Sequence, residues 1–391
     1  MQNSSSIPND ASLRVAFLIN APIVGGAERH TLDLAEGLTS NGCRCTLFAM
    51  RGGDLKPPSG VDWRVPALGE PYAPLRRIKA LAEALLEMRP HVIFAVNERP
   101  VLIGFLARLL SGTKIPIVAI THSTLLRTRK EKLLQLIYLP LFNCADAVIF
   151  VSENQRLLWR ARGLCAREEK VILNGIDMSK FSLEEREARR QATRAALGLS
   201  ASDFVVGACA VFRPEKNLVQ IVEAVANVRK LGVPARALLV GEGPTRPDIE
   251  RAAEELGVRE HIIFAGAQKD VRPYLVSFDV GVLSSTTETL SLAALEMLAS
   301  GAPMLMSDIG GAREIVDGKN GDVFPVGDTD ALVERLSQLW NSRAEGPSPA
   351  QVRASVVNKF DKAKMVQEYF DYLAKFGPPP SLCDRVTAAQ R

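Results

Sequence analysis

Four side chains in the second half of the chain have the types and spacing to act on a ligand that is partly anionic and partly hydroxylated: Arg213, Lys216, Glu288 and Glu296. Arg213 and Lys216 follow a strand-like run and open a helical one. Three residues apart, they can converge on one point. An arginine fork plus a lysine point charge suits a phosphate that gains negative charge as a bond breaks. Two cations at a helix start oppose the helix dipole, and that local rule-breaking favours a bound anion over two solvated charges. Glu288 lies in a Ser/Thr-rich turn, and Glu296 follows in the second turn of the next helix. A carboxylate accepts hydrogen bonds from vicinal hydroxyls, while the N–H groups of Thr289, Leu290, Ser291 and Leu292 point at an anion in the turn. Alone, the two glutamates would read as a helix-start acid favoured by the dipole and a solvent-facing one. Beside Arg213 and Lys216 they read as ligand contacts.

These groups require a strand, a turn and a helix in that order. Val280–Leu283 is a short apolar run of the buried-strand kind. Leu290–Ser300 is a helical pattern ended by Gly301, and a second strand, Met304–Ser307, runs into Gly310-Gly311. The same alternation fills the chain. In the first half, strands are expected at Leu13–Asn20, Cys45–Met50, His91–Val96, Pro116–Thr121, Ala147–Val151 and around Lys170–Asn174, with helices at Leu75–Met88, Val101–Leu110, Leu125–Leu139 and Asn154–Arg162. A charged stretch, Gly175–Ser202, reads as a partly helical connection. Strands then return at Phe204–Val211, Ala237–Val240, His261–Phe264 and Gly321–Phe324, with helices at Leu218–Leu231, Pro247–Leu256, Val271–Ser277 and Ala331–Trp340. A Pro/Ser break at Pro347–Pro349 precedes a last helix, Ala363–Phe376. Strands alternating with helices make parallel, doubly wound sheets. The expected fold is α/β, with two Rossmann-like domains facing across a cleft and ligands beyond the carboxyl ends of the strands. The expected division is a disordered leader at 1–12, a first domain at 13–178, a second at 179–358, a C-terminal helix at 359–377 and a tail at 378–391.

The 391 residues suit two domains, and 47% hydrophobic with 24% charged residues is an ordinary globular composition. No apolar run approaches the ~18–20 residues of a membrane span. The leader MQNSSSIPND lacks the basic and apolar regions of a signal peptide, so a cytoplasmic protein is expected. The scattered cysteines read as buried thiols in a reducing compartment; Cys43 and Cys45 share one strand face, with metal ligation a remote alternative. The net charge of +4 is uneven: residues 1–178 carry 22 Lys and Arg against 16 Asp and Glu, residues 179–391 carry 26 against 28. The first half therefore suits an anionic lipid surface or acceptor. No aromatic-rich basic patch or nucleic-acid motif accompanies that charge, which speaks against nucleic acid as a partner.

As a set, the motifs resemble glycosyltransferase family 4 of the GT-B fold. They come in the family's order: Gly25-Gly26-Ala27-Glu28, Thr121-His122-Ser123, Val151-Ser152, Asn174-Gly175-Ile176-Asp177, Phe212 to Asn217 (FRPEKN), Gly241-Glu242-Gly243, and Glu288-x7-Glu296 followed by Gly301-x-Pro303 and Gly310-Gly311. The resemblance spans Leu13 to Phe376. It implies that the second domain holds a nucleotide diphosphate sugar, UDP- or GDP-linked, and the first an acceptor, and that the C-terminal helix returns to the first domain. Arg213 and Lys216 would clamp the diphosphate. Glu296 would bind the ribose, Glu288 would lie near the sugar, and backbone at Gly241 and Gly266-Ala267-Gln268 would line the nucleotide. Gly25 and Gly26 would let backbone approach the donor phosphate, and His122 would contact the donor sugar. The chain departs from the family's commonest form after Glu288, where Thr289-Leu290-Ser291 replace glycines and an aromatic.

Other features are less specific. Asn174-Gly175-Ile176-Asp177 reads as an interdomain turn. Asp328-Thr329-Asp330 matches a metal-binding D-x-D, but Asp is a natural helix cap; with Arg and Lys on the diphosphate, no metal or other cofactor is expected. Leu125–Leu141 places Arg127, Arg129, Lys130 and Lys132 beside a long apolar run. That is either a core helix with a basic end or a segment that lies on the inner face of a membrane. The expected activity is transfer of a sugar to a hydroxyl of a glycan or lipid-linked acceptor, with retention of configuration, in cell-envelope or exported glycan synthesis. The alternatives are a sugar-nucleotide epimerase, a homologue that binds without catalysis and, more distantly, a dehydrogenase, although the first strand lacks G-x-G-x-x-G.

Overall fold

In the computed structural model the chain is described over residues 12–23, 25–53, 55–64, 74–122 and 129–377. The expected leader (to residue 11), the tail at 378–391, Ser123 and the first residues of the basic segment lie outside the described residues. The chain divides into two units. One comprises residues up to Val151, Arg156–Ile172 and the chain from Met365; the other comprises Ser152–Gln155 and Leu173–Lys364.

The first unit is built from β1 (Arg14–Ile19), α1 (Gly26–Ser40), β2 (Arg44–Ala49), β3 (Asp62–Arg64), α2 (Pro74–Met88), β4 (Val92–Val96), α3 (Glu98–Ser111), β5 (Ile117–Thr121), α4 (Arg129–Cys144), β6 (Ala147–Phe150), most of α5 (Glu153–Ala161) and β7 (Glu169–Val171). Its sheet is parallel throughout, in the order β3-β2-β1-β4-β5-β6-β7. The central strands are apolar on both sides because helices cover both faces. Along β1, Val15, Phe17 and Ile19 enter one core and Ala16 and Leu18 the other. Cys43 and Cys45 lie in the first of these cores, and burial pushes both thiols up to about 12, so they stay protonated and inert. β3 was not expected: it is three residues long, at the sheet edge, and mostly polar.

The second unit contains α6 (Arg186–Ala196), β8 (Phe204–Cys209), α7 (Leu218–Lys230), β9 (Ala235–Val240), α8 (Arg246–Glu255), β10 (Ile262–Gly266), α9 (Arg272–Leu275), β11 (Val280–Leu283), α10 (Leu292–Ala299), β12 (Met304–Ser307), α11 (Ala312–Ile315), β13 (Gly321–Phe324), α12 (Thr329–Asn341) and α13 (Pro349–Val357). Its parallel sheet runs β10-β9-β8-β11-β12-β13. α14 (Lys362–Leu373) ends the fold, and Met365, Val366, Tyr369, Phe370, Tyr372 and Leu373 complete the first unit's core beside β1. A Cβ at Gly37 on α1 would strike Val366 at 2.4 Å, so that glycine is what lets α14 pack.

The charged stretch expected as a connection belongs to the second unit. Arg190 and Arg194, one helical turn apart on α6, grip Asp279 at 2.5 and 2.6 Å, and Asp279 also accepts the Val205 N–H at 2.7 Å. The remaining arginine donors reach the carbonyls of Val276, Ser277 and Phe278. Charge here locks a helix to the sheet instead of serving a linker. Likewise, Pro347–Pro349 is a break that starts a helix. Ser348 caps α13, and Gln351 closes a capping box with it. Among the described residues no helix is long and apolar enough to cross a membrane.

Candidate functional site

In the second sheet the strand order reverses between β8 and β11, which share a ladder although two strands separate them in sequence. Loops at the carboxyl ends of such a pair diverge and leave room for a ligand. The β8 loop carries Arg213 and Lys216; the β11 loop carries Glu288. The two loops are tied together. Ser284 Oγ donates to the carbonyls of Lys216 and Asn217 at 3.0 and 2.9 Å, and the Thr286 N–H donates to the Glu215 carbonyl at 2.8 Å. Lys216 Nζ reaches Glu288 Oε2 at 2.6 Å, both side chains being about four-fifths buried. The phosphate-type cation and the sugar-type carboxylate are thus adjacent and hold each other. Arg213, extended ahead of the short turn Pro214–Lys216, is exposed. Its side chain forms no hydrogen bond or ion pair among the described residues.

The β11 loop has a floor. Gly310, in the left-handed region (φ +58°), lies so close that a Cβ would stand 2.2 Å from the Glu288 carbonyl oxygen. The neighbouring Gly311 N–H donates to the Thr289 carbonyl at 2.6 Å. From the other side the Asn174 amide donates to the Leu290 carbonyl at 3.3 Å. Asn174, expected as turn chemistry alone, is therefore a strut of the loop. Ser291 Oγ accepts the Ala294 N–H at 3.3 Å, so the hydroxyl caps α10; Leu290 and Leu292 are buried apolar anchors. Glu296 is 4% exposed in the second turn of α10, which removes the solvent-facing alternative. A carboxylate at that burial needs partners.

The third loop, after β9, carries Gly241 at φ +133°, where a Cβ would overlap the Ala210 carbonyl at 1.9 Å; only glycine fits. Its N–H donates to the Gly266 carbonyl at 2.9 Å, tying it to the end of β10. Ala267 and Gln268 follow, exposed, with Gln268 Nε2 on the Ala265 carbonyl at 2.5 Å. Arg213, Lys216, Gly241, Gly266, Ala267, Gln268, Glu288 and the start of α10 therefore share the carboxyl edge of one sheet.

Gly25, Gly26 and His122 belong to the first unit. Gly25 precedes α1 in extended backbone, where a Cβ would crowd the Glu28 carboxylate at 2.5 Å, whereas a Cβ on Gly26 would meet nothing within 4 Å, so internal packing does not demand glycine at 26. His122 follows β5, its N–H on Asn97 Oδ1 at 2.9 Å and its ring edge-on to His30, centroids 4.7 Å apart. Burial lowers both histidines, His30 to about 4 and His122 well below the usual range, so both are neutral near pH 7. The D-x-D stretch is a helix cap: Asp328 accepts the Ala331 N–H at 2.9 Å. Among the described residues no three His, Cys, Asp or Glu side chains gather as a cation would need.

Residues 24–180 match the family model described as Glycosyltransferase Family 4, and residues 203–342 match Glycosyl transferases group 1. EpsD of Bacillus subtilis (strain 168) is 28% identical over 235 residues, 59% of this chain and 61% of that protein, so this match spans less than two thirds of the relative. The UDP-Gal:alpha-D-GlcNAc-diphosphoundecaprenol alpha-1,3-galactosyltransferase of Escherichia coli is 23% identical over 379 residues, 92% of this chain and 96% of that protein. Among solved structures, Anabaena Alr3699/HepE in complex with UDP and glucose superimposes with a TM-score of 0.80 at 20% identity, over 93% of this chain and all of that one.

Proposed function

The chain belongs to glycosyltransferase family 4, and from that premise we propose that it moves a sugar from a nucleotide diphosphate sugar to an acceptor hydroxyl, with retention of anomeric configuration and without a metal. The observation that carries this reading is the contact of Lys216 with Glu288 at a strand-order reversal, with Arg213 exposed beside it. Lys216 and Arg213 supply positive charge where a departing nucleotide diphosphate gains negative charge. The start of α10 adds backbone N–H groups and the helix dipole, and Glu288 accepts from sugar hydroxyls. Glu296 takes the ribose. The first unit is assigned the acceptor, with His122 as a neutral hydrogen-bonding contact to the donor sugar. The reaction needs leaving-group stabilisation and alignment above all, and that is what these charges and N–H groups offer. The E. coli relative is named for UDP-Gal and a diphosphoundecaprenol-linked acceptor, which makes a UDP-hexose and a lipid-linked glycan the first pair to try, in cell-envelope glycan synthesis.

The test is a thermal-shift panel of UDP-glucose, UDP-galactose, UDP-N-acetylglucosamine and GDP-mannose. One of them should raise Tm by several degrees at saturating concentration, and Glu296→Ala should abolish most of that shift. Equal shifts in the wild type and the variant would sink the ribose assignment. No shift with any donor would sink the donor site.

The reading extends to membrane attachment. The described part of the basic segment exposes Leu136 and Ile137 on α4, and the neighbouring α3 exposes Leu109 and Leu110. In sequence the same segment also carries Arg127, Arg129, Lys130 and Lys132, and a basic segment with exposed apolar side chains suits an anionic bilayer surface. The protein should pellet with phosphatidylglycerol vesicles at low salt and stay in solution with phosphatidylcholine. Equal partitioning between the two lipids would contradict it.

A further inference from the structure

Asn97 is the least comfortable residue of the first unit. It ends β4, where that sheet's own strand order reverses between β1 and β4. Its backbone sits at φ +67°, ψ 179°, a region that glycine visits and other residues enter at a cost of ~1–3 kcal/mol. Asparagine before a helix ordinarily caps it. Here α3 receives no side-chain cap from Asn97. The amide oxygen instead accepts the backbone N–H of His122, 25 residues further on, at 2.9 Å. The residue thus forgoes the bond its position invites and holds a strained backbone, and the bond it makes is to the histidine assigned to the donor sugar.

The His122 ring has its own support. His30 of α1 meets it edge-on, and the Tyr369 hydroxyl of α14 lies 3.4 Å from His30 Nε2, with the Tyr369 and His30 rings also in edge contact at 5.8 Å. His30 and Tyr369 are buried in the apolar core between β1, α1 and α14. Burying an imidazole and a phenol among leucines and valines costs stability unless they are used. Helix α14 thereby links the end of the chain to the ring that follows β5.

We infer that Asn97 is a positioning residue for transfer: it fixes the backbone of His122 while the His30–Tyr369 pair fixes its ring. This rests on the assignment of His122 to the donor sugar. Glycine at 97 would relieve the strain and remove the amide, so fold and function should part. The full-length protein is assayed for nucleotide release from the sugar nucleotide giving the largest thermal shift. Asn97→Gly should keep or raise Tm, leave KM for the donor within about twofold, and lower kcat roughly 10- to 100-fold, the loss expected from ångström-scale misplacement. Asn97→Asp retains an acceptor oxygen and should hold kcat within a few-fold of wild type. Should Asn97→Gly prove unstable, Tyr369→Phe, which removes only the hydroxyl, should lower kcat with donor KM unchanged.

Wild-type kcat in Asn97→Gly, or in a folded Tyr369→Phe, overturns the inference. Equal loss in Asn97→Gly and Asn97→Asp also overturns it, since the acceptor oxygen would then not matter. His122→Ala separates the two levels. If it turns over normally, the assignment of His122 fails, and if it alone is inactive, the supporting shell fails while the assignment stands.

Discussion

Lys216→Ala should lower kcat for sugar transfer by about 10²–10³-fold, the range seen when one preorganised charge or donor is removed from a developing anion. Donor KM should rise less, because in the proposed site Arg213 and the start of α10 would still attract the diphosphate. The structure adds a second-order expectation. Lys216 Nζ is in contact with Glu288 Oε2 at 2.6 Å, and Glu288 is only 19% exposed. Truncating the lysine leaves that carboxylate without its cation and, on the proposed reading, next to the diphosphate, so repulsion should add to the lost attraction. The double variant Lys216→Ala/Glu288→Gln should therefore turn over faster than Lys216→Ala alone, a non-additivity that a double-mutant cycle measures directly. Initial rates of nucleotide release with the donor chosen by thermal shift give both numbers. A double variant no faster than the single one would mean that Glu288 acts on the sugar alone; an unimpaired Lys216→Ala would remove the lysine from the mechanism.

The parts of the fold that were legible in the sequence are those where one physical rule acts alone. Runs such as Leu13–Asn20 and Val280–Leu283 are apolar at every position because helices cover both faces of a parallel sheet, and such runs need no partner to be recognised. The failures have particular causes. Asp62–Arg64 pairs with β2 through backbone bonds that polar side chains do not announce. Pro347-Ser348-Pro349 looks like an ending, yet Ser at the cap and Pro in the first turn are also how a helix begins. In Arg186–Ala196 the arginines at 190 and 194 show the helical spacing, but nothing near them in sequence names Asp279 as their target. Of the site, the charged residues stood out because their types are costly where they stand. The struts did not. Asn174 and Asn97 pass as ordinary turn and cap residues until the bonds to Leu290 and His122, over 100 and 25 residues away, are seen. His30 passes as one more helical residue until its contact with His122 appears.

The β11 loop depends most sharply on a glycine outside it. Gly310→Ala places a methyl group 2.2 Å from the Glu288 carbonyl oxygen and 2.9 Å from that of Thr289. Both are backbone atoms, so no side chain can turn aside, and relief requires the Glu288–Thr289 peptide to move by roughly 1 Å. That shift would carry Glu288 away from Lys216 and disturb the entry into α10, where Ser291 caps and Leu290 is anchored by Asn174. Misplacement on this scale costs about 10²-fold in transfer. The left-handed backbone adds ~1–2 kcal/mol for an alanine, lowering Tm by a few degrees. Gly318→Ala is the matched control: its φ of +80° carries the same backbone cost, yet a Cβ there meets nothing within 4 Å. Gly310→Ala should therefore lose more stability than Gly318→Ala, because the clash adds to the backbone cost, and only Gly310→Ala should lose turnover. Comparable activity loss in both would trace the effect to backbone strain in the unit at large. Loss confined to Gly310→Ala would mean that the geometry of Glu288 and Thr289, set from beneath by a residue that touches no ligand, governs the rate.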